Sequence, residues 1–143
     1  MEVLQRLTRK QVTVLEKISH YQGSDSGVPL KTLAESMKIR PPSALIHVRV
    51  LQNEGLVGRR AGKTWITRKG VSCISEYRRH HRIAEMMFTN LSFAPEDACR
   101  AALEIDLALT HATVEKVCGA EGHPSACPHG EPIAPCSKSS GRE

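Results

Sequence analysis

The chain has 143 residues, 40% of them apolar and 3% aromatic, with a formal net charge of +5. That length and apolar content suit one or two small globular domains, and so few rings argue against a stacking platform for single-stranded nucleic acid. No apolar run approaches the roughly 20 residues of a membrane span and the N-terminus lacks the apolar core of a signal peptide, so a cytoplasmic protein with no membrane partner is expected.

From the N-terminus, Thr8 to Tyr21 reads as a helix capped by Thr8, with Val12, Leu15 and Ile18 as its inner stripe. Gly23 to Gly27 reads as a flexible loop. In the next segment Leu30, Leu33, Ala34 and Met37 recur at three- and four-residue steps, which predicts a short helix. Arg40 precedes Pro41-Pro42, and a proline disfavours the α region for the residue before it while suiting a first helical turn, so one helix ends and another begins there. The second helix, about Pro42 to Glu54, turns Ala44, Leu45, Val48 and Leu51 inward and is stopped by Gly55. Leu56-Val57 and Thr64 to Thr67 follow as two short strands around a basic loop with Arg59, Arg60, Gly62 and Lys63. Three helices and a hairpin make a winged helix-turn-helix, expected over residues 1–72. This half holds thirteen Lys and Arg against five Asp and Glu, the other half seven against ten.

The major groove of B-DNA admits one helix, whose N-terminal side chains meet base edges while cations flank the phosphates. The groove-facing candidates are Arg40, Pro42, Ser43 and His47; Arg59, Arg60 and Lys63 are the candidates for the phosphate backbone. The alternative for this module is a protein-contact surface whose charges are merely solvated.

A connector helix is expected from near Gly70 to about Leu91, its basic run Arg78-Arg79-His80-His81-Arg82 being either a phosphate contact or a polar helix surface. Pro95-Glu96-Asp97 opens another helix and Thr110 caps the last one. Residues 73–133 are thus read as a helical domain and 134–143 as a disordered tail. The fold class is mostly α.

All five cysteines and five of the seven histidines lie in this second half, which in a reducing compartment points to metal more than to disulfides. His81 and Glu85 share one helix face, as do Cys99 and Asp106 on the next helix, so two paired helices could converge four ligands on one cation. An ordinary exposed i,i+4 pair and a small buried cysteine fit the same residues. Cys118, His123, Cys127 and His129, with Cys136 beyond, hold enough ligands for a structural zinc site, or are packing turns. No nucleophile, base and acid are spaced for catalysis, and neither an enzyme nor a small-molecule substrate is expected.

The winged helix followed by His81-Arg82-Ile83-Ala84-Glu85, Asp97-Ala98-Cys99-Arg100, Glu115-Lys116-Val117-Cys118 and the run from Gly122-His123-Pro124 through Cys127-Pro128-His129-Gly130 to Ile133 resembles the diphtheria toxin repressor family of metal-dependent regulators, in its short two-domain form, over about residues 8–133. The resemblance implies a homodimer with a helical metal-binding and dimerisation domain, Fe²⁺ or Mn²⁺ as co-repressor, and a palindromic operator on double-stranded DNA. By it, His81 and Glu85 match the family's ancillary metal site and Cys99 replaces a histidine there. The other metal site departs: its early methionine or aspartate is Gln11, and its Cys/Glu-x-x-Glu-His run falls on Leu103 to Leu107, where Asp106 alone keeps a ligand type. The expected metal ligands are therefore His81, Glu85, Cys99, Asp106 and Cys127, with His129, His123 and Cys118 behind them. Thiolate and imidazole donors favour Zn²⁺. The function this predicts is a homodimeric repressor with a divalent co-repressor; a constitutive DNA-binding protein with a purely structural zinc is the alternative.

Overall fold

The computed structural model describes residues 2–22 and 27–136 and divides into two compact units. One is Arg6–Ile74; the other takes the described residues of Met1–Gln5 and Ser75–Glu143. The division falls two residues past the boundary read from the sequence, and the first five residues group with the second unit. The loop expected around Ser24 lies outside the described residues. No helix is long and apolar enough to cross a membrane among them.

The first unit holds α2 (Arg9–Tyr21), β1 (Val28–Pro29), α3 (Leu30–Met37), α4 (Pro41–Asn53), β2 (Val57–Arg60) and β3 (Lys63–Ile66); α1 (Val3–Arg6) precedes them. Helix α2 opens on a capping box: the Thr8 hydroxyl accepts from the Gln11 amide and the Gln11 side chain accepts from the Thr8 amide. Gln11, the position where the family resemblance asks for a metal ligand, is thus a capping residue. Val12, Val14, Leu15 and Ile18 are buried, as are Leu33 and Ala34 on α3 and Ala44, Val48 and Leu51 on α4. At the turn between α3 and α4, Lys38 takes a left-handed conformation and the Ile39 amide bonds back to the Ala34 carbonyl at 3.0 Å, closing the helix end. Arg40 is extended, as the following proline requires, and Pro41 is the first residue of α4. The sheet has the antiparallel order β1-β3-β2, with Gly58 opposite Trp65 and Arg60 opposite Lys63. Strand β1 goes beyond the sequence expectation, and Arg59, Arg60 and Lys63 stand on strands, only Ala61 and Gly62 forming the turn. Both have positive φ, 51° and 74°, the type I′ geometry whose twist matches the strands it joins.

Helix α5 (Arg68–Asn90) begins in the first unit and continues in the second, which also holds α6 (Pro95–Ile105) and α7 (His111–Ala120). The Thr110 side chain caps α7 as expected, accepting from the Thr113 amide. Ile83, Val114, Cys118, Cys127, Ile133 and Cys136 form its core, with Met86, Leu109 and Val117 packed against them. Of the tail expected over 134–143, residues 134–136 are described, and Cys136 is 3% exposed and belongs to this core. Residues 137–143 lie outside the described residues.

Candidate nucleic-acid interface and metal centre

At the start of α4, Arg40, Pro42 and Ser43 are exposed and His47, one turn on, is half-buried. Ile46 is 62% exposed beside them, a large apolar side chain on the outer face that packing within the unit does not use. On the wing, Arg59 is half-buried while Arg60 and Lys63 are exposed and directly opposed across the strands. Like charges facing one another across a strand pair repel, and a phosphate between them removes that cost. At the base of the wing a Cβ on Gly58 would lie 2.4 Å from the Trp65 ring, so only glycine leaves room for that ring.

In the second unit the histidine at the centre of the predicted metal site is held from both sides. His81 Nε2 lies 2.6 Å from Glu85 Oε1, and Nδ1 lies 2.9 Å from Asp106 Oδ2, which also accepts from the Tyr77 hydroxyl at 3.1 Å. Cys99 Sγ lies 3.6 Å from His81 Nε2 and His129 Nδ1 lies 3.1 Å from Glu85 Oε2. His81, Glu85 and Cys99 offer ligand atoms mutually within 4.8 Å, and so do Glu85, Cys127 and His129. Glu85 is common to both, so four side chains gather around its buried carboxylate.

Local structure explains the convergence. His81 and Glu85 are one turn apart on α5. Cys127, Pro128, His129 and Gly130 form a β-turn in which the Gly130 amide donates to the Cys127 carbonyl at 2.9 Å, with proline at its second position and Gly130 at φ 81°. The turn is anchored by the Cys127 amide on the Glu131 carbonyl and by the Ala126–Pro132 bridge. Burial, then the neighbouring Glu85, Cys127 and Asp106, push the Cys99 thiol up; a cation among these groups supplies the charge that thiolate formation needs.

Asp106, expected as a ligand, is fully buried and lies against Nδ1 of His81, while Cys99 lies against Nε2. Cys118 and His123 do not join Cys127 and His129: both Cys118 Sγ and Cys136 Sγ lie against His123 Nδ1, at 3.5 and 3.4 Å. The run Arg78 to Arg82 is not one surface either. Arg79 is buried and paired to Glu115 at 2.8 Å, and His80 is fully buried.

A third constellation, Glu76, His80 and His111, is not foreseeable from the sequence because α7 brings its last member across from 31 residues away. His80 stacks on His111 with ring centroids 6.1 Å apart, and among the described residues neither nitrogen of His80 makes a hydrogen bond, Nε2 lying 3.5 Å from Glu76 Oε1. Burial, then the His111 charge, lowers the His80 pKa to about 4. The only available signal is the i,i+4 spacing of Glu76 and His80, which is common on helices.

A family model described as the iron dependent repressor metal binding and dimerisation domain matches residues 67–135. A hypothetical protein from Sulfolobus solfataricus shares 30% identity at a TM-score of 0.85, over 90% of this chain and 99% of that one. A manganese-dependent transcriptional repressor, solved in complex with manganese, shares 25% identity at a TM-score of 0.69, over 90% of this chain and 59% of its own. IdeR from T. acidophilum has the same fold at 22% identity and a TM-score of 0.61, over 89% and 59%. The chain thus spans about three fifths of the length of these two repressors. No curated protein matches it.

Proposed function

The chain belongs to the iron-dependent, diphtheria toxin repressor-like family of transcription regulators, and from that premise we propose that it is a homodimeric repressor whose affinity for a palindromic operator is set by a divalent cation bound around Glu85. The observation that supports this most directly is the meeting of His81, Glu85, Cys99, Cys127 and His129, from two helices and a turn, at one buried carboxylate. Two thiols, two imidazoles and one carboxylate fit zinc best by ligand type, with Fe²⁺ and Mn²⁺ the ions of the family. One distance already matches: at about 2.3 Å to sulfur and 2.0 Å to nitrogen, a tetrahedral cation holds those atoms about 3.5 Å apart, and Cys99 Sγ and His81 Nε2 are 3.6 Å apart, whereas Glu85 Oε1, at hydrogen-bond distance from His81 Nε2 (2.6 Å), must draw back to share the ion. Bound there, a cation supplies the positive charge that lets thiolates and Glu85 share one site, and it ties α5, α6 and the Cys127 turn together.

In this reading Arg40, Pro42, Ser43 and His47 meet base edges, and Arg59, Arg60 and Lys63 take the phosphates. Two-fold symmetry demands half-sites about one helical turn, or a multiple, apart, so a cation that favours one arrangement of the dimer favours one operator spacing. Neither an enzyme nor a membrane role is part of it.

The test is a titration of operator DNA, selected from a random pool with zinc present, against the protein with Zn²⁺, Mn²⁺, Fe²⁺ or chelator. Affinity that rises at least tenfold with one cation supports the proposal. Equal affinity in all four defeats the gate. It leaves a constitutive DNA-binding protein with a structural zinc, a reading favoured by Gln11 being a capping residue and by Leu103 and Leu107 standing where the family has ligands.

A further inference from the structure

The centre at Glu85 uses neither Cys118, His123 nor Cys136, yet these three converge at the C-terminal end of α7. The end of that helix builds the convergence. The His123 amide bonds back to the Cys118 carbonyl at 2.9 Å, with Gly122 and His123 both at positive φ, 76° and 54°, so the chain reverses and lays the imidazole over Cys118. Cys136 reaches the same point from the other end of the segment, past the Cys127 turn, and both thiols are buried while His123 reaches solvent.

Two sulfurs lie within 3.5 Å of the single nitrogen Nδ1. As a hydrogen bond Nδ1 serves one sulfur, because an imidazole nitrogen carries either one proton or one lone pair, and the two thiols also bond to each other, so all three atoms are drawn to one point. As edges of a tetrahedron it fits: sulfur and nitrogen on one zinc stand about 3.5 Å apart. All three ligand atoms lie within 4.8 Å of one another. Thiolate with imidazole selects zinc among the common divalent ions, since harder ions prefer oxygen.

We propose that Cys118, His123 and Cys136 form a second metal site that takes a thiophilic divalent cation, zinc by ligand type, and fastens Cys136 to the end of α7. It stands independently of the gate around Glu85. It has a different task, closing the core formed by Cys118, Cys127, Ile133 and Cys136 instead of reporting a metal concentration. The solvent-facing side of His123 leaves a fourth position for water.

The experiment measures zinc per chain in full-length protein purified with reductant and without chelator, for the wild type, Cys136→Ser, His123→Ala and His81→Ala. Cys136→Ser and His123→Ala are expected to hold one equivalent less than the wild type, and His81→Ala to retain the equivalent they lose. Titrated with Co²⁺, Cys136→Ser loses part of the thiolate-to-cobalt charge-transfer absorption of the wild type. Should either variant fail to fold, the wild type alone decides: zinc slows alkylation of Cys118 and Cys136 at least tenfold relative to chelated protein. Equal zinc content in wild type, Cys136→Ser and His123→Ala, equal alkylation rates with and without chelator, or a Cys118–Cys136 disulfide in the purified protein overturns the proposal.

Discussion

Replacing Asp106 separates a residue that holds a metal from one that aims the holder. Asp106 is fully buried and touches His81 only at Nδ1, 2.9 Å away, while the cysteine lies at Nε2. A cation at Nε2 requires the ring proton on Nδ1, and Asp106 accepts it. Loss of such a carboxylate costs about 10–100-fold in metal affinity, or about 1.4–2.7 kcal/mol. Asp106→Ala is expected in that range. Asp106→Asn keeps an acceptor oxygen but not the charge and is expected near the tenfold end. The metal-free proteins should differ too, because alanine removes the acceptor of both the Tyr77 hydroxyl and His81. A buried donor left without its acceptor costs about 1–3 kcal/mol; Tyr77 keeps a further interaction, so the sum is about 2–4 kcal/mol. Zinc affinity by competition with a chromophoric chelator, and urea unfolding of metal-free protein, measure the two quantities. If Asp106→Ala removes the zinc equivalent at Glu85 as completely as His81→Ala does, Asp106 is a ligand and this geometry is misread. If affinity is unchanged, the imidazole does not need aiming.

Arg60→Ala combined with Lys63→Ala should weaken DNA binding about equally for all sequences and reduce the slope of log affinity against log salt by about 0.9 for each phosphate no longer neutralised, read by fluorescence anisotropy. Gly70→Ala places a Cβ 2.1 Å from the Leu56 carbonyl oxygen, a backbone atom that cannot swing away, and should cost about 2–3 kcal/mol in urea unfolding. Metal-free protein should lose stability as pH falls from about 6.5, where His80 of the unfolded chain takes up a proton, toward about 4, where the folded chain does; above that window both forms are neutral and the effect vanishes. Thermal melts across this range, with His80→Gln flattening the profile, check it.

Much of the first unit is legible in the sequence because local rules and tertiary packing agree there. Pro41-Pro42 breaks the helix pair, Gly55 at φ 75° ends α4, and the apolar steps of α2 and α3 mark the buried faces. Strand β1 is hidden because two residues carry no alternation, and Val28-Pro29 is a strand only through its pairing with Lys63 and Thr64. Within the second unit, periodicity places Cys99 and Asp106 on one face, as they are, but a helix face about 10 Å long does not end at a single ion. His81 divides it, cysteine at one nitrogen and aspartate at the other. Cys136 reads as tail because its neighbours are small and polar, and its burial depends on a turn several residues earlier. Glu76, His80 and His111 offer no pattern to find, since their meeting depends on how α7 packs on α5.

The cross-strand pair of Arg60 and Lys63 carries a lesson for anyone who would improve this protein. In isolation the hairpin tip is held together against its own charge, at a cost of about 0.2–1 kcal/mol. Exchanging either cation for glutamate would convert repulsion into attraction, so a screen that rewards heat resistance would favour such replacements. With these cations on phosphates as proposed, every winner at that spot would be a worse reader of DNA, and a library ranked by melting temperature alone would drift toward a sturdier chain with a weakened grip on nucleic acid.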